Sequence, residues 1–233
     1  MPNWCSNNLT ISGDVSEIAK FKDWLGDQPL TLQKIKPMPA ELEDTTSPTP
    51  PDQAEKAKEL FAKYGAEDWY AWHVQNWGTK WDVDADFDDA SSTDDCLIYN
   101  FDSAWSPPTK AVIELSNLFP SLTITLRYRE DGCLFAGILR VGNGEYDDIY
   151  VDGSNGKEEY RKFCIEEYGD DPFEWEEEQE EDLDHEVKGL VALAKASSSS
   201  DEKPKKAKKK VKKAVKKPAK KKVKKAKVKK KKK

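Results

Sequence analysis

The sequence predicts an α+β sandwich that carries two charged appendages. Three observations predict it. Period-two segments alternate with period-3.6 segments over roughly the first 150 residues. Between Phe163 and Val187 the chain has thirteen acids and no Lys or Arg. Residues 203–233 then hold 21 lysines and no acid.

The elements follow in order. "NNLTISG", residues 7–13, places Leu9 and Ile11 between polar neighbours and reads as a half-buried strand. "DVSEIAKFKDWLGD" has Asp14 or Ser16 as cap, apolar residues Val15, Ile18, Phe21, Trp24 and Leu25 at helical spacing, and Gly26 as stop. "LTLQKIKPMP" reads as a second strand ended by Pro37 and Pro39, giving a β-α-β opening. Residues 39–53 read as a loop, since Pro48, Pro50 and Pro51 forbid a regular helix or an inner strand. "DQAEKAKELFAKYG" is a helix with an acidic start and a glycine end. "AEDWYAWHVQNWG" reads as a second helix, with Trp69, Trp72, His73 and Asn76 on roughly one face. The pair is a helical insertion, about residues 39–78.

"WDVDADFDD" alternates Trp81, Val83, Ala85 and Phe87 with four aspartates, the pattern of a strand with one acidic face. "CLIYNFD" is another strand. "SPPTKAVIELSNLFP" is a helix capped by Ser106, with proline in its first turn and Val112, Ile113, Leu115 and Leu118 on its apolar side. "LTITLRYRE", an Asp131-Gly132 turn and "CLFAGILRVG" form a β-hairpin. "YDDIYVDG" adds a short strand, and residues 155–168 a short helix. Two β-α-β units and a meander make the sandwich ferredoxin-like. Three regions result: a ferredoxin-like domain over 1–165, an acidic and partly helical segment over 166–196, and a serine hinge with a disordered lysine-rich tail over 197–233.

Four motifs carry a family resemblance: "MPNWCSNNLTISG", "NWGTKWD", "NFDSAWSPP" and "YREDGCLFAG". In this order they resemble the YubB-type ferredoxin-like domain of plasmid- and phage-encoded proteins, over roughly residues 1–150. The resemblance implies the fold and a mobile-element origin. It implies no reaction, and it has no counterpart to the acidic segment or the lysine tail.

The four cysteines, Cys5, Cys96, Cys133 and Cys164, are scattered, and the only histidines are His73 and His185. That pattern supports neither a structural zinc site nor a disulfide framework. The start lacks a basic n-region with an apolar h-region, and no run approaches the ~18 apolar residues of a membrane span. The expectation is a reduced protein of the bacterial cytoplasm or nucleoid, with no membrane partner, no cofactor and no metal. A nucleophile-and-base constellation is not evident: no spacing links Cys5 to His73, and there is no G-x-S-x-G motif or phosphate loop. The row Asp82, Asp84, Asp86 and Asp88 reads as a solvated acidic face more than a cation site.

The tail makes the strongest functional statement. Residues 1–202 hold 17 basic residues against all 44 acids, a net charge of −27, while the tail carries +21. Lysines act as point charges on phosphate, and the tail has neither arginine for base edges nor aromatics for stacking. The phosphate-contacting set is Lys205, Lys206, Lys208, Lys209, Lys210, Lys212, Lys213, Lys216, Lys217, Lys220, Lys221, Lys222, Lys224 and Lys225. Binding of this kind is nonspecific and strongly salt-dependent. The reading is an accessory protein, not an enzyme, tethered to nucleic acid, DNA before RNA. The alternatives are an acidic nucleic-acid mimic that inhibits a host protein, and an enzyme with an unrecognised pocket. Within the body, Trp77, Lys80, Trp81, Asp82, Trp105 and Ser106 are the candidate ligand pocket: aromatic walls with an ammonium, a carboxylate and a hydroxyl. The competing reading packs Trp77 and Trp81 into the core.

Overall fold

The computed structural model of the chain describes residues 2–142 and 144–174. The lysine tail, the serine hinge and most of the acidic segment lie outside these residues. A first compact unit spans Met1–Pro172.

The first unit is one six-stranded sheet. Its strands are β1 (Trp4–Ser12), β2 (Asp86–Phe87), β3 (Cys96–Ala104), β4 (Thr123–Glu130), β5 (Phe135–Gly142) and β6 (Glu145–Asp152). Their order is β2-β3-β1-β4-β5-β6, and every neighbouring pair is antiparallel. The first four positions are the ferredoxin-like core. β1 and β2 flank β3, joined through helix α1 (Val15–Leu25), and β3 and β4 flank β1, joined through α6 (Thr109–Leu118). Between α1 and β2 come α2 (Leu32–Ile35), α3 (Ala40–Glu43), a 3-10 turn at Pro51–Gln53, α4 (Ala54–Tyr64) and α5 (Trp69–Asn76). Helix α7 (Lys157–Tyr168) packs on β5 and β6.

The two faces follow from the period-two pattern. Leu9 lies opposite Tyr99 and Leu126, and all three are buried in the core with Ile18, Phe21, Val112 and Leu115 of α1 and α6. One residue back, Asn8 lies opposite Asn100 and Arg127 on the other face. That face carries Trp4, Ser6, Asn8, Asn100, Asp102, Arg127 and Arg129 along an open groove of about 910 Å3. Six carboxylates line it, from Asp82, Asp84, Asp86, Asp102, Asp131 and Asp170, against the two guanidiniums. Arg129 is already held by Asp131 at 3.0 Å and Asp170 at 2.8 Å.

Several elements differ from the sequence expectation. "LTLQKIKPMP" is not a strand: Leu32–Ile35 is the short helix α2, and only Leu30 makes a β-bridge, to Ala85. Thr31 caps this helix by accepting from the Lys34 N–H at 3.0 Å. The true second strand of the first β-α-β unit is the two-residue β2, far shorter than the 81–88 alternation suggests. Val83 and Ala85 are buried as that alternation requires, but Ala85 pairs with Leu30 and leaves only Asp86 and Phe87 to join β3. The loop at 39–53 contains α3 and the 3-10 turn. Ser106 does not cap α6: Pro108 occupies the cap position, and the Ser106 hydroxyl serves another bond, described below. Leu118 and Val15, expected on apolar faces, are exposed.

Candidate functional site

The segment "NWGTKWD" leaves α5 and divides its side chains between core and surface. Asp68 caps α5 by accepting from the Ala71 N–H at 2.8 Å. The helix ends where the Trp77 and Gly78 N–H groups both donate to the His73 carbonyl, at 2.7 and 3.2 Å. Trp77 is 2% exposed. Its ring stacks on His73 at 3.9 Å and 22°, and meets Trp72 edge-on at 5.5 Å. Its indole N–H donates to the Lys36 carbonyl at 2.9 Å, so its polar tip is satisfied inside the core. Gly78 then turns the chain with φ of 90°, and a Cβ there would sit 3.2 Å from the Pro107 carbonyl oxygen. The freed Gly78 carbonyl accepts from the Ser106 hydroxyl at 2.7 Å. Thr79 is fully buried and donates to the Ala104 carbonyl at 2.9 Å.

The six sequence candidates therefore separate. Trp77 and Ser106 are internal fasteners. Asp82 ties the segment to α2: its Oδ1 accepts from the Leu32 N–H at 2.6 Å, the Val83 N–H at 2.8 Å and the Gln33 N–H at 3.3 Å. Lys80, Trp81 and Trp105 come together at the surface. The Lys80 ammonium lies 4.3 Å from the Trp105 ring centre, 4.8 Å from Trp81 and 6.0 Å from Tyr70. Trp4 joins the cluster, 5.9 Å from Trp81. Trp4, Trp81 and Trp105 are 50%, 38% and 45% exposed. Trp105 sits at φ 71°, a left-handed conformation that costs an aromatic residue about 1–3 kcal/mol. Its N–H donates to the Asn3 carbonyl at 2.9 Å, which helps to hold it there.

Trp4 and Tyr70 escaped the sequence reading, although Trp4 left a signal. Cys5 continues the buried set Leu9 and Ile11 by twos, so its neighbour Trp4 must face outward. Tyr70 has no such marker.

Burial pushes the Cys5 thiol up to about 12, so it is protonated at neutral pH. Burial pushes His73 down, and its Nδ1 is bonded to the Lys80 carbonyl at 2.8 Å, so Nδ1 carries the proton of a neutral ring. No three His, Cys, Asp or Glu side chains among the described residues converge as metal ligands. No helix among them is long and apolar enough to cross a membrane.

The family model described as "Ferredoxin-like domain in Api92-like protein" matches residues 76–188. This part of the chain is similar to that domain. The Api92-like match begins one residue before Trp77 and includes Lys80, Trp81 and Trp105, while β1 with Trp4 precedes it. The uncharacterized protein YubB of Escherichia coli K12 is 30% identical over 80 residues, 34% of this chain. The match spans 55% of YubB, about half its length. The crystal structure of Api92 from Yersinia pseudotuberculosis is similar at 14% identity with a TM-score of 0.39, covering 65% of this chain and 98% of that one.

Proposed function

We propose that this protein is an accessory protein of the phage or plasmid type, tethered nonspecifically to nucleic acid, DNA first, through its lysine-rich tail. The observation that carries the reading is the segregation of charge: 21 lysines without an acid in residues 203–233, after a body with 44 acids and 17 basic residues. The lysines, Lys205 to Lys225 foremost, lie outside the described residues. The open sheet face supports the reading indirectly. Its groove is lined by six carboxylates and two arginines, a surface that repels phosphate. The tether would be a polycation on phosphate oxygens, with affinity supplied by counterion release and no base readout. The reading assigns no catalytic step and places the protein in the bacterial cytoplasm or nucleoid.

Salt-titrated binding of duplex DNA by the full chain and by a chain ending at Ser200 tests this. The expected result is a steep loss of affinity with salt in the full chain and no binding after truncation. Binding that survives truncation moves the site into the body. The second reading, an acidic module acting on a host protein, is favoured by the same carboxylate-lined groove. It predicts that neither chain binds DNA.

A further inference from the structure

We propose that Lys80, Trp81, Trp105 and Trp4 form a stacking site for one unpaired nucleotide of a single strand, with its phosphate on Lys80. This rests on the tail reading and gives it a preference that the tail itself lacks.

The first support is the state of the Lys80 ammonium. Aromatic ring faces surround it at 4.3, 4.8 and 6.0 Å. No carboxylate among the described residues pairs with it, and it donates to none of their polar atoms. The carboxylate next but one in sequence, Asp82, is turned onto backbone N–H groups. A lysine on so acidic a body has many anions to choose from. This one is held on aromatic faces with its charge uncompensated, which leaves it free to receive an anion.

The second support is the exposure of three indoles: Trp81 and Trp105 beside the ammonium, and Trp4 against Trp81. Lone apolar side chains at a surface need no explanation, but three tryptophans in one contiguous patch do. Trp105 stands out from the core in a left-handed backbone conformation. A ligand that fits such a patch has a flat ring and a negative charge. A nucleotide has both. Stacking on indole is tolerant of base identity, which suits a chain with no base-reading arginines in its tail.

The consequence is discrimination between strands. Lysines on phosphates do not separate duplex from single strand by stacking, because they touch no base. Bases in a duplex are already stacked on one another, whereas an unpaired base is free to lie on Trp105 or Trp81. The tail would supply affinity at low salt, and the patch a single-strand preference that persists when salt screens the tail.

The test uses the full chain, an oligothymidylate and a DNA hairpin of equal phosphate number, read by anisotropy and tryptophan fluorescence at low and high salt. At high salt the oligothymidylate should bind about tenfold tighter than the hairpin and quench the indoles. Trp105→Gly keeps a residue that tolerates the left-handed conformation and removes the ring. It should abolish the preference and leave the low-salt slope unchanged. Lys80→Gln, which removes the charge at a half-buried position, should weaken the high-salt binding in the same direction. Equal affinity for both DNAs without quenching overturns the site, as does a single-strand preference that both variants retain. Loss of all salt-dependent binding, with quenching by the oligothymidylate intact, sinks the tether and supports the site.

Discussion

The imidazole of His73 lies flat on the indole of Trp77, with ring centres 3.9 Å apart, while its Nδ1–H donates to the carbonyl of Lys80 at 2.8 Å. One residue thus locks the tryptophan that enters the core and the backbone of the lysine that stays outside. The buried Nε2 of the same ring has no partner among the described residues.

That geometry gives a pH dependence. The ordinary value of 6.5 is lowered in the folded state, first by burial. The unfolded chain therefore binds the proton more readily, and the stability from neutral His73 is present above 6.5 and lost as pH falls below it toward the folded value. Urea unfolding between pH 7.5 and 5 should show stability falling on the acid side. His73→Phe keeps the stacking, loses the Lys80 bond and should flatten that part of the slope. A slope identical in the two proteins assigns the acid loss to other groups.

Trp77→Ala should cost about 3–5 kcal/mol, because it empties a fully packed site beneath α5 and α6. Trp77→Phe should cost less, near the loss of a few ring atoms plus the hydrogen bond to Lys36. Denaturant midpoints at constant m-value measure both.

Gly78→Ala should destabilise by about 1–3 kcal/mol, since alanine at φ 90° is strained and its Cβ would press on the Pro107 carbonyl. Asp82→Ala should cost about 0.5–2 kcal/mol, the worth of a side-chain cap on α2. Asp82→Asn should recover most of that, because an amide oxygen still accepts. Thermal melts of the three variants order these effects.

Alkylation of thiols should separate the cysteines. Cys5 and Cys164 are buried and their thiols are pushed up by that burial, whereas Cys133 is exposed. Iodoacetamide on the native protein should label Cys133 and spare Cys5 and Cys164 until denaturant is added. Mass mapping of the modified peptides reads the result.

Much of the fold was legible because the buried positions keep a clean period. Leu9 and Ile11, then Leu97, Tyr99 and Phe101, then Ile124, Leu126 and Tyr128 are all buried by twos. The Asp131-Gly132 turn marked the β4-β5 hairpin. Leu30, Leu32 and Ile35 misled, because the spacing from Leu32 to Ile35 fits one helical turn while Leu30 and Leu32 fit a strand. The arbiter is Asp82, fifty residues along the chain from Leu32, which holds the first amides of α2. No local pattern contains it. The site was half legible for a similar reason. "NWGTKWD" announced two tryptophans and a lysine, but which of them faces solvent depends on the turn at Gly78 and the backbone of Trp105.

The placement of β1 has a consequence for dissecting this chain. Residues 76–188, the part that matches the family model, contain β3 and β4 but not the strand that lies between them. A fragment with those limits would have a slot in the middle of its sheet. Both rims of the slot would present unpaired backbone with an apolar side, the kind of edge that recruits strands from other molecules. Such a piece is expected to aggregate when made alone. Adding residues 1–13 as a separate peptide should restore it to solution by filling the slot.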